Sequence, residues 1–490
     1  MKRIISLLLV LCLTLCCCVG CEDKVRQKEE EREDSSKEES KDKSNESKVA
    51  AFIEEKIDEI MAENQNGNEN DDKNVNVDDN REPTPMIPND KIEVPQLLEN
   101  RPDAKKVELK VWAPTEEHMI VKVLCEMFDG AHPEYDITFF LEEYSEADVY
   151  NEISKDKENA ADVFYFANDQ LPYLVEGGYI MPFPEVGTVR SGVEENIDKD
   201  ALESCKVDGV LYSVPFTSNA WYLFYNKSMF TENEIKDLNV MMTKDIAGCD
   251  YNFAMPMNNG WYLGGFFLGG GCTLFGEDGT DSSKCDWASD RGVAIVKYLN
   301  GIVASGKFYN DSGTGDAIAL LAEGKCASFA TGIWNSVRIK DALGDNYGVA
   351  KLPKFSYELN GEVMSKDITP FDDYKSIGIK YDTEYPVEAV MLTEFLTGAY
   401  AQEIRVKARS LAPTHKTVIE KVDIYGDPAV KAGIEQMSAV VKRPRIPQMS
   451  NYWVAANKLG LCIVERNEYV VSGDDKILEL LEIIIDEIVK

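Results

Sequence analysis

The chain has 490 residues, of which 87 are acidic and 52 are basic, and its formal net charge is −35 at pH 7. This length exceeds one ordinary hydrophobic core and indicates two or three domains. So negative a chain is not expected to bind nucleic acid, which needs clustered Lys and Arg, or to dock electrostatically on anionic lipid. The only histidines are His118, His132 and His415. They argue against multi-histidine metal sites, and we expect neither metal nor cofactor.

The first 21 residues have the three-part pattern of an export signal. Two basic residues precede an apolar run from Ile4 to Val19, which ends at Gly20-Cys21. A small residue followed by Cys at this point resembles the lipobox of bacterial lipoproteins, in which the Cys becomes the new N terminus and carries lipid; Cys18 stands where that pattern usually has Leu. We therefore expect residues 1–20 to be a lipoprotein signal peptide and Cys21 to be lipidated. The run is nearly long enough to span a bilayer, so a retained transmembrane anchor is the competing interpretation. Both interpretations export and tether the body.

The cysteines that follow the leader have no metal or redox pattern. They are Cys125, Cys205, Cys249, Cys272, Cys285, Cys326 and Cys462. An odd number with irregular spacing and no C-x-x-C motif argues against zinc and redox sites. Buried free thiols are favoured, and a disulfide between Cys272 and Cys285 is the open alternative.

The segment from Glu22 to Asn100 has the composition of a tether, with 25 acidic and 12 basic residues and few apolar ones. Such a segment cannot bury enough apolar surface to offset its ordering entropy, so residues 21–104 are predicted to be disordered. Ala50 to Ala62 has apolar residues at helical spacing and is interpreted as a solvated, fluctuating helix, with partner binding as the alternative. About 80 flexible residues have a root-mean-square reach of about 50 Å, which suits a body held near a membrane.

The body alternates strand-like and helix-like segments from Val107 onward. In chain order they are a strand at Glu108–Ala113, a helical run from Thr115 through Phe128, strands at Tyr135–Leu141, Asp162–Phe166 and Lys375–Ile379, and a last helix at Lys476–Lys490 capped by Asp474. Such alternation predicts parallel sheets with helices on both faces, and the length suits two α/β lobes. Ligands of open α/β sheets bind at the carboxyl ends of strands, so two facing lobes would form a cleft.

The sequence contains no G-x-S-x-G, H-E-x-x-H or Walker-lysine motif. The glycine-rich stretch Leu268–Cys272 lacks the Lys-Ser of a phosphate loop and is interpreted as a tight helix-to-strand turn. Glu277–Asp281 lacks the spacing of an EF-hand and is interpreted as a solvated turn. Adjacent carboxylates such as Asp372 and Asp373 are too common in so acidic a chain to identify a glycosidase pair. We therefore expect a binding protein rather than an enzyme.

Three of the six tryptophans stand beside Gly, Asn and Ser, in contexts typical of junctions: Trp261, Trp334 and Trp453. A Trp with such neighbours lies more often at a functional surface than in a core strand. Sugars present an apolar C–H face and a polar rim, which aromatic faces with nearby Asp, Asn and Glu can bind. Composition alone leaves both ligand contact and packing open for each of these side chains.

Four segments carry a family resemblance. Asp162–Gly178 resembles a strand-then-helix segment with the motif W-A-x-D, and Gly209–Lys227 resembles a hinge segment that ends in Y-N-K. Glu323–Phe355 resembles a segment with G-p-W followed by Y-G-V-x-x-L-P, and Arg445–Trp453 (RIPQMSNYW) resembles I-P-Q-M-S-x-F-W. These motifs resemble those of the extracellular solute-binding proteins of carbohydrate ABC importers, specifically the maltose/maltodextrin-binding branch. The similarity runs from about Val107 to the C terminus and leaves out the leader and tether.

The resemblance implies a two-lobe, periplasmic-binding-protein-like fold of type II in the α/β class, with a central cleft that closes on its ligand. Hinge crossings are implied near Thr217–Asn219, around Pro353–Lys366 and near Arg405–Pro413. The lobes would then comprise residues 105–217 plus 366–405 for the N-terminal lobe, and 219–353 plus 413–490 for the C-terminal lobe.

The resemblance also implies ligand contacts at positions that match the family motifs. Trp334 and Trp453 match two stacking tryptophans of the second lobe, and Trp261 falls near a third aromatic platform. Asp169 matches an aspartate that binds sugar hydroxyls. Two acidic residues, Glu116 in the first βα loop and Glu142, stand at or near positions where the family has acidic residues.

Three expected contact positions depart from the family pattern. Phe166 replaces the Trp of W-A-x-D, Gln170 replaces an Arg beside the aspartate, and Asn219 replaces a Glu at the hinge. An aromatic ring at Phe166 can still stack on a sugar. Losing one Arg and one Glu keeps the charge balanced but changes the hydrogen-bonding partners, so an α-glucan is favoured while the sugar itself is left open.

The function implied is that of a lipid-anchored receptor on the extracellular face of the cell membrane. It would capture maltodextrin-like oligosaccharides as a monomer and deliver them to the permease subunits of an ABC transporter. Another oligosaccharide, or a role as the ligand-binding subunit of a membrane sensor, is the alternative, and neighbouring permease or kinase genes would distinguish transport from sensing. An anchored glycosidase is the third alternative, and release of reducing ends would identify it.

Overall fold

The computed structural model describes residues 92–93, 101, 103–184, 189–312 and 315–490. The predicted signal peptide, the lipidation at Cys21 and the helical segment at Ala50–Ala62 lie outside the described residues, as does nearly all of the predicted tether. Among the helices that are described, none is long and apolar enough to cross a membrane.

The strands are short. In chain order they are β1 Ile92–Glu93, β2 Lys105–Ala113, β3 Tyr135–Glu143, β4 Val163–Ala167, β5 Lys206–Val207, β6 Val210–Leu211, β7 Ser213–Ser218, β8 Trp221–Asn226, β9 Phe253–Met255, β10 Phe308–Asn310, β11 Ser328–Gly332, β12 Tyr347–Ala350, β13 Lys354–Leu359, β14 Glu362–Asp367 and β15 Tyr374–Ile379.

The α-helices alternate with these strands in the first part of the body and dominate its last hundred residues. They are His118–Ala131, Val149–Lys155, Leu171–Glu176, Val189–Asn196, Lys199–Ser204, Leu238–Thr243, Gly260–Gly269, Asp290–Ala304, Asp316–Ala322, Ser336–Leu343, Pro386–Thr397, Ala399–Arg409, Lys416–Ile419, Val422–Tyr425, Pro428–Met437, Met449–Val464, Glu468–Val471 and Asp474–Ile488.

The described residues divide into two compact units: those up to residue 108 together with 116–140, and those of 109–115 together with 141–490. In the first unit the helix His118–Ala131 is buried along most of its length, with every residue from Val123 to Asp129 buried. There Arg101 donates to the buried Asp129 carboxylate at 2.5 Å and to the Tyr135 carbonyl. The exposed Glu116 lies in the 3-10 turn that precedes this helix.

The second unit contains two sheets, and in the first the strand order is β2-β4-β15-β7. Strand β4 is parallel to β2, with Val163 opposite Val111, but β15 is antiparallel to both β4 and β7. In the other sheet the order is β10-β9-β11-β8-β12. There β9 is parallel to β10 and β11, whereas β8 is antiparallel to β11 and β12.

The prediction of a two-lobe α/β fold is confirmed, whereas the prediction of parallel sheets is correct only in part. In the two sheets described above, β15 and β8 run antiparallel to their neighbours, and both directly follow a passage of the chain from one sheet to the other. A strand that enters a sheet from the neighbouring sheet has no crossover helix to set it parallel. Alternation along the sequence therefore could not reveal this reversal.

The chain passes between the two sheets at three places. It leaves β7 and enters β8 through Asn219 and Ala220. It returns between β12 and β15, a connection that includes the β13-β14 hairpin. In the third place Pro413 forms a bridge with Thr217, whose hydroxyl donates to the Ala412 carbonyl at 2.8 Å. The lobe boundaries given above stay predictions.

The remaining predicted elements are present with shifted ends. The predicted run from Thr115 is a 3-10 turn followed by the helix His118–Ala131. The last helix begins at Asp474 and is preceded by Gly473 at its N-cap, so the prediction that Asp474 caps it was wrong. Asp474 instead lies in the first turn, where a carboxylate favours the helix dipole, and pairs with Lys297 at 2.9 Å.

Candidate functional site

Two helices of the second unit pack closely enough to bring two tryptophans together. The helices are Gly260–Gly269 and Met449–Val464, and the Tyr452 hydroxyl of the second donates to the Gly260 carbonyl of the first at 2.9 Å. A Cβ at Gly264 would lie 2.4 Å from that hydroxyl oxygen, so a larger residue would push the helices apart. The close contact between Gly264 and Tyr452 therefore sets the distance between the two helices, and with it the distance between Trp261 and Trp453.

Trp261, Phe371 and Trp453 form a group that we term the aromatic platform. The ring centroids of Trp261 and Trp453 are 6.0 Å apart, and Phe371 lies 6.5 Å from the first and 5.9 Å from the second. Both indoles are partly exposed, whereas Phe371 is buried. Of the predicted site residues, the structure therefore brings Trp261 and Trp453 together on a common aromatic base.

Trp334 lies on a different element, the 3-10 turn Ile333–Asn335 that follows β11. Its side chain is 37% exposed, which is unusual for so large an apolar group. The indole lies over Gly332, where a Cβ would come within 2.0 Å of the ring. A glycine at that position is thus what allows the ring to fold back against its own turn.

Four polar side chains from separate segments form what we term the hinge cluster: Asp169, Asn219, Asp373 and Arg443. The Asn219 side-chain amide donates to the Asp373 carboxylate at 2.7 Å, and the Asn219 backbone N–H donates to the Asp373 carbonyl at 2.9 Å. An Arg443 guanidinium nitrogen lies 3.5 Å from the other Asp373 oxygen, and both side chains are almost fully buried. The hinge cluster begins two residues after Phe371 and so adjoins the aromatic platform.

Burial determines the ionisation of the two carboxyls of this cluster. It raises the pKa of Asp373 above its ordinary range, against the opposing charge of Arg443 and with the negative charge of Asp169 adding to the rise. Burial also raises the pKa of Asp169, again opposed by Arg443. One guanidinium between two carboxyls cannot fully compensate both charges, so the site favours retention of a proton.

The side chains of Gln170 and Phe166 make their contacts inside the lobe that contains the first sheet. The Gln170 side chain accepts from the Tyr150 backbone N–H at 2.8 Å and donates to the Glu146 carbonyl, and the residue is buried. Phe166 has no exposed surface and packs against Phe164 with ring centroids 5.8 Å apart. In this conformation Phe166 therefore presents no face for a sugar, because β4 turns its ring into the core.

Glu142 is buried at the end of β3, where it accepts from the Trp112 indole N–H at 2.7 Å. The Trp112 ring stacks on Tyr144 at 4.0 Å, and burial followed by the Glu142 charge raises the pKa of Tyr144. The structure thus gives Glu142 a structural partner. Glu116 belongs to the other unit, where it is exposed in the 3-10 turn described above.

Sequence reasoning missed three residues of this site. Arg443 lies three residues before the start of the motif match at Ile446, and Asp373 was set aside as one of many paired carboxylates. Tyr173, on the helix after Asp169, places its hydroxyl 3.4 Å from the Pro447 carbonyl in the segment that leads to Trp453. Its position six residues after the end of β4 was a usable signal, but nothing in the sequence pattern connected Arg443 with Asp373.

The seven body cysteines are free thiols in the structure, including Cys272 and Cys285. Burial raises the pKa of each of these two to about 12, so neither has the thiolate character of a reactive cysteine. Across the described ranges, no three or more His, Cys, Asp and Glu side chains are grouped to hold a metal ion.

Comparisons with known proteins identify the family of the chain. Residues 124–432 match the model of the bacterial extracellular solute-binding protein family. A galactooligosaccharide-binding protein of Bacillus subtilis (strain 168) is 26% identical over 368 residues, which is 72% of this chain and 84% of that protein. The maltodextrin-binding protein MdxE of the same organism is 26% identical over 315 residues, 61% of this chain and 72% of its own length.

Solved structures extend the similarity to the fold. A structure with acarbose superposes with a TM-score of 0.71 at 31% identity, covering 78% of this chain and 98% of that chain. A maltodextrin-binding protein from L. casei BL23 without ligand superposes with a TM-score of 0.68 at 24% identity, covering 78% of this chain and 99% of its own. The named relatives are binding proteins rather than enzymes. The chain belongs to the bacterial extracellular solute-binding protein family, as its sequence motifs predicted.

Proposed function

We propose that this protein captures an α-glucan oligosaccharide of the maltodextrin type and delivers it to the permease of an ABC importer. The observation that carries the proposal is the junction at Phe371–Asp373, where the aromatic platform adjoins the hinge cluster. Aromatic faces bind the C–H surface of a sugar ring, and buried carboxylates, amides and guanidinium groups orient its hydroxyls. One relative is a maltodextrin-binding protein and the other a galactooligosaccharide-binding protein, which supports an oligosaccharide ligand.

Transport rather than catalysis follows from how such a fold works. A ligand that contacts both lobes has a higher affinity for the closed state, and it shifts the open-closed equilibrium by that difference. Within the protein itself, the Tyr173 hydroxyl near the Pro447 carbonyl joins the helix after Asp169 to the segment before Trp453. The permease would then recognise the closed form.

The test is a calorimetric titration of the purified chain. The ligands are maltose, maltotriose, maltotetraose and larger maltodextrins, with galacto-, xylo- and cello-oligosaccharides in parallel. Micromolar or tighter binding of the α-glucans alone supports the proposal. Binding of galactooligosaccharides alone, the ligand class of one relative, would retain the receptor and replace the α-glucan. Release of reducing ends during prolonged incubation would contradict the absence of catalysis.

We further propose that the protein is held at the outer face of the membrane by lipid on Cys21, with the acidic segment as its tether. Wild-type protein is expected in the membrane fraction after expression with its own leader in a bacterial host. The Cys21→Ser variant is expected to shift to the soluble extracellular or periplasmic fraction, with its sugar affinity unchanged. Continued membrane association of Cys21→Ser would favour the transmembrane anchor instead.

A further inference from the structure

The backbone fixes Arg443 beside the start of β15. Val441 forms a parallel bridge with Phe371, and its carbonyl accepts from the Asp372 N–H at 2.7 Å. The Arg443 N–H in turn donates to the Asp372 side chain at 2.6 Å. These bonds hold the segment through Arg443 against the residues that lead into β15, among them Asp373, so the guanidinium reaches the hinge cluster from a defined direction.

The Arg443 guanidinium is buried with donor capacity to spare. Its side chain is 4% exposed, and its nearest charged partner is the Asp373 oxygen at 3.5 Å, beyond ordinary hydrogen-bond distance. Within the part of the chain that the structure describes, Arg443 Nε has no hydrogen-bond partner. Buried donors left in this state are rare in native proteins, because they lose their hydration without replacement.

Three acceptor atoms of the same cluster share this property. Among the described residues, Asp169 Oδ1, Asn219 Oδ1 and Asp373 Oδ1 are buried and have no hydrogen-bond partner. The four atoms come from four different segments of the chain, so no single turn or helix end accounts for them. The hinge cluster therefore holds three buried acceptors and one buried donor that lack hydrogen-bond partners.

This set of atoms selects a chemical class of ligand. Two carboxyls and an amide oxygen repel an anion, and the guanidinium repels a metal cation. A neutral pair of vicinal hydroxyls satisfies both kinds of group, since each hydroxyl donates one hydrogen bond and accepts others. Hydrogen bonds to charged partners are the stronger kind, so such a diol would be held firmly in place.

On the basis of the proposed function, we propose that Arg443 and Asp373 are specificity-determining residues that bind vicinal hydroxyls of one sugar ring beside Asp169. The side chains at the motif positions are already used elsewhere. The Gln170 side-chain amide accepts from the Tyr150 N–H and donates to the Glu146 carbonyl. Asn219 donates its side-chain N–H to Asp373. The cationic donor and the second carboxyl thus come from residues that are distant in the sequence.

The ionisation of Asp373 is expected to make sugar binding depend on pH. Asp373 faces Asp169, Arg443 and Asp372, and Tyr173 lies near Asp169 and Arg443. Burial raises the pKa of the unliganded Asp373 carboxyl. Hydroxyls that donate to it favour its charged form and lower that pKa, so binding releases a proton. Affinity is therefore expected to rise between about pH 5 and about pH 8, and to flatten once the unliganded carboxyl has lost its proton.

The test compares variants by titration with maltotriose at several pH values. Arg443→Gln and Asp373→Asn are each expected to weaken binding by about 10-fold or more, the scale of a hydrogen bond to a charged group. Asp373→Asn is also expected to lose the pH dependence of wild type. The matched control is Arg445→Gln, because Arg445 is two residues away and donates to the Glu203 carbonyl in an exposed contact. It is expected to bind within about 2-fold of wild type.

A merely structural role would lower the thermal midpoint of Arg443→Gln and Asp373→Asn but leave the affinity and pH profile of the folded protein unchanged. That result would overturn the inference, while binding by wild type would leave the proposed function intact. If either variant does not fold, wild type is titrated with maltotriose analogues that each lack one hydroxyl. Loss of about 10-fold or more for two adjacent positions supports the inference, and uniform small losses contradict it. No binding of any glycan by wild type would overturn both proposals.

Discussion

Replacing Trp453 with Ala is expected to weaken α-glucan binding by about 1–3 kcal/mol, roughly 5- to 150-fold, the range for burying one large aromatic face. The ring stands partly exposed on the aromatic platform, between Trp261 and Phe371, on a helix whose neighbouring Tyr452 is anchored to Gly260. A sugar that stacks on Trp453 would thus meet a surface that is already ordered before binding. Such preorganisation keeps the entropic cost of association low.

The measurement is calorimetric titration with maltotriose at a temperature where each variant is folded. Trp453→Phe is expected to retain part of the affinity, because a smaller face remains. The matched control is Trp287→Phe in the same lobe, where the indole is fully buried and stacks on Phe267 at 4.0 Å with the ring planes 8° apart. That variant is expected to lose stability but not affinity. Unchanged binding by Trp453→Ala would remove the aromatic platform from the site.

Much of the fold followed from local patterns. The strands β2, β3, β4 and β15 were each predicted within a few residues, because alternating or continuous apolar runs bounded by polar segments specify strands locally. The direction of β15 did not follow, since it depends on where the chain re-enters a sheet rather than on any residue in the strand. The same limit applies to the mixed character of both sheets.

Site residues could be predicted from the sequence where a local motif identifies the residue by itself. Trp453 and Trp261 came from motifs or aromatic contexts and lie together on the platform. Phe166 and Gln170 also came from a motif, but matching residue types along a sequence does not show where each side chain points. Strand β4 turns Phe166 into the core, and a backbone N–H of the neighbouring helix occupies Gln170.

The hinge cluster could not be predicted from the sequence, for a different reason. Arg443 and Asp373 are 70 positions apart, and the bridge between Val441 and Phe371 that brings them together has no signature in either segment. Their interaction is nevertheless the most unusual electrostatic feature of the site, because two buried carboxyls share one guanidinium. Departures from a family motif at Gln170 and Asn219 were the sequence signal that partners had changed, without showing where the new partners lay.

Arg405 is expected to be among the largest single contributors to the stability of the first sheet's lobe. Its side chain is fully buried, with the guanidinium carbon 4.7 Å from the Phe216 ring centroid and 5.7 Å from that of Tyr165. It donates to the Leu396 carbonyl at 2.6 Å and to the Tyr165 hydroxyl at 2.8 Å. One side chain therefore links the helix Ala399–Arg409 to the end of the preceding helix and to strands β4 and β7.

We expect Arg405→Ala to lower the free energy of unfolding by about 3 kcal/mol, from lost cation–π contact and from acceptors left buried without a donor. Arg405→Lys is expected to recover less than half of that loss, because an ammonium cannot stack as a planar group or donate in two fixed directions. Urea unfolding, followed by tryptophan fluorescence and circular dichroism, measures both.

Lys431→Ala is the matched control, since Lys431 is an exposed helical residue whose nearest acid, Asp423, lies 3.9 Å away. No measurable change is expected there. Full stability of Arg405→Lys would show that charge alone, rather than the planar guanidinium, holds these elements together.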